Sequence, residues 1–200
     1  MRLTSTRSPA LSNNALQSLL RWRRYRLIDE LGNNRVFSFI YKNYINQLGI
    51  KGNETILDFG SGSGAGSRHL AKKLYQSNGH LTCVDISQFW MKKAKLRMRK
   101  YDNVDFFVGQ LPELQLNEKS FDIIYIFYAM HEVSKGLRNG IASEFFRVLK
   151  DEGRLLIKEP QRVNDGMPVN EIEELMTRNG FYRESCNLSN DTYCNGILML

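Results

Sequence analysis

Cysteine and histidine are both scarce in this chain of 200 residues, which contains only three of each. Cys83, Cys186 and Cys194 form no C-x-x-C pair, and an odd number of cysteines fits neither a disulfide framework nor a zinc knuckle. No metal-ligand spacing relates the three histidines, His69, His80 and His131. The sequence therefore predicts no metal site.

Long apolar runs are also missing. The longest, Ile123 to Met130, has eight residues, whereas a membrane-spanning helix needs about 20. The chain begins with Arg2 and Arg7 but lacks the apolar stretch of a signal peptide. We therefore expect a soluble, cytoplasmic protein.

Acidic residues are few in the first quarter of the chain, where eight lysines and arginines face only Asp29 and Glu30. Residues 51–200 are nearly balanced, so most of the net charge of +7 belongs to the amino-terminal segment. A composition of 42% hydrophobic and 24% charged residues excludes a disordered chain, a collagen and a coiled coil. The length is that of one globular domain.

Short apolar runs alternate with amphipathic stretches from Glu54 onward, which is typical of strands alternating with helices. The five predicted strands of this part are Thr55–Phe59, Leu81–Val84, Val104–Val108, Phe121–Phe127 and Arg154–Lys158. The predicted helices are Ser67–Gln76, Gln88–Lys100, Ile141–Lys150 and Val169–Arg178, and Asp151–Gly153 is predicted as a turn.

Two final apolar runs, Phe181–Leu188 and Tyr193–Leu200, flank a turn at residues 189–191 and are predicted as a hairpin. The whole pattern predicts an α/β protein with a Rossmann-like, doubly wound, mostly parallel sheet and a carboxyl-terminal antiparallel hairpin. Residues 1–50 are predicted as a helical cap or lid on this domain, with helices at Ser12–Arg26 and Phe37–Leu48. The main domain is predicted to span residues 51–200.

A glycine-rich turn follows the first strand, with Gly60, Gly62 and Gly64 next to Asp58. Such a turn lets a ligand approach the backbone, and the next helix offers free N–H groups at its amino terminus. Asp85 ends the next strand, where a carboxylate can accept both hydroxyl hydrogens of a ribose. Together these residues predict a nucleoside-binding site at the carboxyl ends of the strands.

The identity of the nucleotide is narrowed by what the turn lacks. Ala65 replaces the last glycine of the dinucleotide fingerprint G-x-G-x-x-G, and the Gly-Lys-Ser/Thr of a phosphate-binding Walker loop is absent. Asp58 is unsuited to a pyrophosphate but suited to an ammonium group. This combination favours an amino acid joined to a nucleoside.

Four segments in order resemble the class I S-adenosylmethionine-dependent methyltransferases: ILDFGSGSG (56–64), TCVDIS (82–87), FDIIYIFYAMHEV (121–133) and EFFRVLKDEGRLLIKEP (144–160). The last two are most similar to the small-molecule methyltransferases that include quinone-biosynthesis enzymes. The resemblance implies a seven-stranded sheet and S-adenosylmethionine as the cofactor. It also implies transfer of a methyl group to a small-molecule acceptor by in-line displacement.

The resemblance further implies roles for single residues. Five residues would surround the methionine half of the cofactor: Asp58, Gly60, Ser61, Gly62 and Gly64. Asp85 would hold the ribose, Ile86 and Trp90 would cover the ribose and adenine, and Gln110 and Leu111 would border the adenine edge. Gln110 stands where relatives usually have an acid. Phe127, at the end of the fourth strand, would lie beneath the sulfonium or serve as a core aromatic.

His131 follows the fourth strand at the mouth where an acceptor would lie. It is our candidate catalytic residue, as a general base or as a hydrogen-bonding partner of the acceptor, with a loop-capping role as the alternative. Glu132 and Glu159 are weaker candidates for a catalytic role. Glu159, next to Pro160, can also simply end its strand.

Other functions stay open at this point. The basic run Arg21–Arg26 suits a solvated helix face, but it could also attract an anionic acceptor, a nucleic acid or a membrane surface. An RNA or protein methyltransferase is therefore an alternative. A non-enzymatic cofactor-binding module is another. An NAD-dependent oxidoreductase is disfavoured because the glycine spacing is wrong and no Tyr-x-x-x-Lys pair exists. We expect a monomer or a homodimer.

Overall fold

A computed structural model describes residues 35–161, 166–189 and 193–199. In these ranges the chain forms one sheet of seven strands, ordered β3-β2-β1-β4-β5-β7-β6. The strands are β1 (Thr55–Phe59), β2 (His80–Asp85), β3 (Val104–Val108), β4 (Phe121–Phe127), β5 (Leu149–Pro160), β6 (Tyr182–Ser189) and β7 (Tyr193–Met199). The first five strands are parallel, and β7 is antiparallel to both β5 and β6. The predicted fold class is therefore confirmed.

The central strands of the sheet are apolar on both sides, so helices cover both of its faces. The described helices are α1 (Arg35–Gln47), α2 (Ser67–Tyr75), α3 (Gln88–Met98), α4 (Lys135–Val148) and α5 (Val169–Arg178). One core lies between the sheet and α4 and α5, and includes Phe59, Ile126 and Phe145. The second core lies under α1, α2 and α3, and includes Ile45 and Tyr125.

The start of α4 differs from the predicted helix at Ile141–Lys150, because α4 already begins at Lys135. Gly136 and Gly140 weaken the sequence signal, and the inward-facing residue of the first turns is a charged one, Arg138. Arg138 is buried because its guanidinium pairs with Glu171 of α5 and donates to the carbonyl of Val133 at 2.9 Å.

The start of β5 also differs, since the strand follows α4 directly and contains the residues predicted as a turn, Asp151–Gly153. Leu149 pairs with Phe121 and Arg154 pairs with Ile123, so β5 advances five residues while β4 advances two. The extra residues form a bulge, which lets the hydrophilic Asp-Glu-Gly segment stay within a strand.

Helix α1 is the described part of the predicted amino-terminal cap. Ile45 of α1 is buried in the second core, and the rings of Tyr41 and Tyr44 pack at a tilt against Phe127, with ring centroids 5.3 Å away in both cases. The predicted helix at Ser12–Arg26, with its basic run, lies outside the described residues. Among the helices that the structure describes, none combines the length and apolar character needed to cross a membrane.

Candidate cofactor and acceptor site

The strand order places a crevice at the carboxyl end of β1. Strand β1 has β2 on one side and β4 on the other, and the chain continues outward in both directions from this point. Ligands of open α/β sheets bind at such a reversal of strand order. The glycine loop (residues 60–66) and the residues after β4 are the two connections that meet there.

The glycine loop is held in a left-handed backbone conformation, with φ of +70° at Gly60 and +54° at Gly62. Only glycine adopts this region without a steric penalty. The amides of Gly60 and Ser61 both donate to the carbonyl of Val84, at 2.8 and 3.1 Å, so the loop is fastened to β2. At Gly60 a side chain would also collide with the next connection, because a Cβ atom added there would lie 2.3 Å from Cβ of Ala129.

Asp85 links the glycine loop to the end of β2. Its Oδ2 accepts from the Gly62 amide at 2.8 Å, and its Oδ1 accepts from the Ser87 amide at 2.8 Å. Burial raises the pKa of this carboxyl, against the lowering effect of the two backbone hydrogen bonds. Each carboxylate oxygen can accept a further hydrogen bond, which leaves acceptor capacity for a ligand hydroxyl.

Asp58 is almost completely buried at 3% exposure, one residue before the end of β1. Its Oδ2 has no hydrogen-bond partner among the residues that the structure describes. Burial raises the pKa of Asp58 to about 7, although a hydrogen bond with Ser67 opposes the shift. A buried acceptor of this kind is costly unless a partner satisfies it, and a cationic partner satisfies it best.

An apolar rim extends beyond β2. The side chain of Ile86 is 76% exposed, and Phe89 beside it is also exposed. Trp90 is half-buried, packs edge-on against Phe89, and has Nζ of Lys93 4.9 Å from its ring. Exposed Ile86, which follows Asp85 in the chain, and the Phe89–Trp90 pair offer apolar surface to a flat ring.

The two residues predicted for the adenine edge have different environments. Gln110 is exposed, and its amide nitrogen donates to Glu113 at 2.9 Å, which leaves its oxygen as an acceptor. Leu111 is buried in the core under α4, so its side chain does not reach the rim. Any contact of Leu111 with a ligand would therefore come from its backbone.

Phe127 belongs to an aromatic cluster on the α1 side of the sheet. Besides Tyr41 and Tyr44, it contacts Tyr128, with ring centroids 4.3 Å apart. Lys158, its neighbour on β5, places Nζ 4.3 Å from the Tyr44 ring and 5.6 Å from the Phe127 ring. Burial lowers the pKa of Lys158. The cluster joins aromatic faces to a cation, and the sequence prediction included only Phe127.

His131 lies between two carboxylates. Its Nδ1 is 2.5 Å from Oε2 of Glu159, and its Nε2 is 3.0 Å from Oε1 of Glu132. Burial alone would lower the pKa of His131, but the hydrogen bonds to these carboxylates outweigh it and raise the pKa to about 9. The imidazole is therefore charged at neutral pH, a state in which both nitrogens donate and neither accepts a proton. This geometry does not favour the predicted role of general base.

Sequence reasoning gives too little weight to two charged residues. Glu159 is completely buried, and an acid two residues after the apolar run Leu155–Ile157 is the available signal. Arg97 of α3 donates to the carbonyl of Ser63 in the glycine loop at 2.7 Å, although the charge pattern of this helix favours a solvated face. Nothing in the helical pattern of α3 distinguishes Arg97 from its basic neighbours.

Comparison with known proteins shows which families this chain is similar to. Residues 56–153 match the methyltransferase domain family. The chain is 32% identical over 114 residues to demethylmenaquinone methyltransferase of Tropheryma whipplei strain Twist, covering 56% of this chain and 44% of that protein. It is 30% identical over 169 residues to the ubiquinone/menaquinone biosynthesis C-methyltransferase of Rickettsia massiliae strain Mtu5, covering 80% and 65%. The chain thus spans about two fifths to two thirds of the length of these curated relatives.

The fold agrees with that of a solved structure, a SAM-dependent methyltransferase from Aquifex aeolicus. The TM-score is 0.72 at 18% sequence identity, and the alignment covers 88% of this chain and 98% of that one. The sheet order, the glycine loop and Asp85 at the end of β2 fit a nucleoside-binding α/β domain. The sequence matches point to the same kind of domain. The chain is thus similar in sequence to quinone-biosynthesis methyltransferases and in fold to an S-adenosylmethionine-dependent methyltransferase.

Proposed function

We propose that this protein transfers a methyl group from S-adenosylmethionine to a small-molecule acceptor. The observation that carries the proposal is the glycine loop, which is bound to Asp85 through the Gly62 amide and lies beside the buried Asp58. A loop without side chains at Gly60, Gly62 and Gly64, a carboxylate at the ribose position and a buried acid for an ammonium group form a set that suits an amino acid joined to a nucleoside.

The methionine half of the cofactor would lie along Asp58, Gly60, Ser61, Gly62 and Gly64. The residues fit this group because the buried Oδ2 of Asp58 has no partner among the described residues, and an ammonium group would supply one. A cation there would also favour the ionised carboxylate, which burial disfavours. The left-handed glycines keep side chains away from this path.

The nucleoside half would lie on the rim beyond β2. Asp85 would accept from the ribose hydroxyls with the capacity left after its two backbone hydrogen bonds. Ile86 and Trp90 would cover the ribose and the adenine, and exposed Ile86 would lose contact with water as a result. The oxygen of Gln110 would accept from the adenine amino group, and Leu111 would contribute through its backbone.

When bound, S-adenosylmethionine supplies an electrophilic methyl group, so the protein has to align the acceptor and exclude water. Phe127 and Tyr44, with Lys158 over their rings, offer aromatic faces and positive charge beyond the end of β4. This surface suits a planar acceptor whose reacting form carries negative charge. The relatives named for quinone biosynthesis support an acceptor of that kind. His131, whose two ring nitrogens are paired with Glu159 and Glu132, would contribute to the same mouth by holding the connection after β4 in place.

A methyl-transfer assay tests the proposal. The purified protein is incubated with S-adenosylmethionine carrying a radioactive methyl group and with a reduced demethylated quinone, a simple phenol, or total RNA. We expect label in the quinone or phenol product, and loss of transfer in the Asp85→Ala variant. Label in RNA alone would move the function to the nucleic-acid alternative. No transfer to any acceptor together with no cofactor binding would overturn the proposal.

A further inference from the structure

The connection after β4 is held by one buried carboxylate from a different strand. Glu159 of β5 is 0% exposed, and its Oε1 accepts from the amides of Ala129 at 2.9 Å and Met130 at 2.7 Å. Its Oε2 lies 2.5 Å from Nδ1 of His131 and 3.4 Å from the His131 amide. A single side chain therefore satisfies three successive backbone donors of the exit loop (residues 128–134).

The exit loop has a conformation that needs such support. Tyr128 has φ of +56°, in the left-handed region that residues with a side chain rarely adopt. Its amide donates to the carbonyl of Lys158 at 2.8 Å, so the chain turns immediately after β4. This turn brings the exit loop against the glycine loop, where Ala129 fills the space that a side chain at Gly60 would need. The position of the exit loop is thus coupled to that of the glycine loop.

Charged residues on the neighbouring elements contact His131 or pair with one another around it. Glu132 of the exit loop lies 3.0 Å from Nε2 of His131. Arg138 of α4 donates to the carbonyl of His131 at 3.0 Å and pairs with Glu171 of α5. Lys135 Nζ is 3.9 Å from Glu171. Lys158 precedes Glu159 in the chain but points to the opposite face of the sheet, toward Tyr44. Within the described ranges, His131 is thus the cation paired with Glu159.

We propose that Glu159 is a positioning residue, whose carboxylate, held against His131, folds the exit loop onto the glycine loop and so shapes the cofactor site. The effect on cofactor affinity rests on the proposed function, whereas the effect on the exit loop does not. Removing the carboxylate leaves the buried amides of Ala129 and Met130 and the partly buried amide of His131 without their acceptor, and leaves Glu132 as the remaining carboxylate partner of His131. The exit loop then loses the left-handed turn, and Ala129 loses its contact with Gly60.

Two variants and a control separate positioning from a general contribution to stability. Glu159→Gln keeps one carbonyl oxygen for the amides of Ala129 and Met130 but removes the negative charge. Glu159→Leu removes both. Glu174→Gln changes a glutamate that forms an exposed pair with Arg178 on the same helix, outside the hydrogen bonds of the exit loop, and serves as the matched control. Three quantities are measured: amide hydrogen exchange, the titration of the His131 ring by NMR, and the Kd for S-adenosylhomocysteine.

In Glu159→Leu we expect the amides of Ala129 and Met130 to exchange at least about 100-fold faster than in the wild type, while amides of β4 keep their protection. In Glu159→Gln these amides should stay within about 10-fold of wild type, and the pKa of His131 should fall by roughly one unit or more. The Kd for S-adenosylhomocysteine should rise about 10-fold or more in Glu159→Leu and less in Glu159→Gln. Glu174→Gln should change none of these quantities.

Unchanged exchange at Ala129 and Met130 in a folded Glu159→Leu protein would overturn the proposal. If that variant does not fold, an unchanged His131 titration in Glu159→Gln would overturn it instead. Failure of the wild type to bind S-adenosylhomocysteine, with the exchange and titration results as expected, would contradict the proposed function and leave the positioning role intact.

Discussion

Replacing Gly60 with alanine should lower the free energy of unfolding by about 2–5 kcal/mol, because two separate penalties fall on this position. The backbone has φ of +70°, and a residue with a side chain in the left-handed region costs roughly 1–2 kcal/mol. The new Cβ would also lie 2.3 Å from Cβ of Ala129, and overpacking of this kind costs roughly 1–3 kcal/mol. The glycine and exit loops must move apart to accommodate it, so cofactor affinity should fall as well.

Two other glycines separate these penalties. Gly62 has φ of +54°, but the nearest atom to an added Cβ is 4.0 Å away, so Gly62→Ala should show the backbone cost alone. Gly140 lies within α4 with no atom within 4 Å of an added Cβ, so Gly140→Ala should raise the free energy of unfolding by roughly 0.5–1 kcal/mol.

Urea denaturation gives the free energies of unfolding for the three variants, and calorimetric titration with S-adenosylhomocysteine gives their affinities. The expected order of stability is Gly140→Ala, wild type, Gly62→Ala and Gly60→Ala, from highest to lowest. If Gly60→Ala is no less stable than Gly62→Ala, then the contact between the two loops does not constrain them, and the reasoning fails.

Three further predictions concern the acids around the glycine loop and the start of α3. Asp85→Ala removes the acceptor of two backbone amides, which should cost about 1–3 kcal/mol of stability. It should also weaken S-adenosylhomocysteine binding at least about 10-fold. An unchanged Kd in the folded variant would refute the ribose role. Because the folded-state pKa of Asp58, about 7, exceeds the ordinary 3.8, its ionisation costs stability as the pH rises through this window. Asp58→Asn should therefore match the wild type near pH 4 and be more stable by up to about 4 kcal/mol at pH 8; a difference that does not change with pH would contradict this. Ser87→Ala removes the side-chain cap of α3, a 3.3 Å bond from the Trp90 amide, and should lower the thermal midpoint by the equivalent of about 1 kcal/mol, whereas an unchanged midpoint would show that the cap is not needed.

Local hydrophobic pattern was sufficient to predict most of the fold. β1, β3 and β4 have the predicted bounds because each is a short, mostly apolar run between polar segments, although in β3 only Val104 is buried. The bounds failed where tertiary contacts override that pattern. Helix α4 begins early because Glu171, 33 residues away, stabilises buried Arg138, and β5 begins early because a bulge accommodates residues 151–153.

The candidate site, too, could be predicted only in part from the sequence. The glycine loop and Asp85 could be predicted because their spacing along the chain determines where they lie in a doubly wound sheet. The environment of His131 could not, because its charge depends not only on the adjacent Glu132 but also on Glu159, which is 28 residues away in sequence. The role of Glu159 depends on backbone amides of another strand's connection, and no local pattern in the sequence signals that contact.

The central claim is that the glycine loop and Asp85 bind S-adenosylmethionine. Isothermal titration calorimetry of the wild type and of Asp85→Ala with S-adenosylmethionine, S-adenosylhomocysteine and NAD tests it most directly. We predict saturable heat from the first two ligands with the wild type, none from NAD, and strongly weakened binding in the variant. Binding of NAD in place of the other two, or equal affinity of wild type and Asp85→Ala for S-adenosylhomocysteine, would contradict the account.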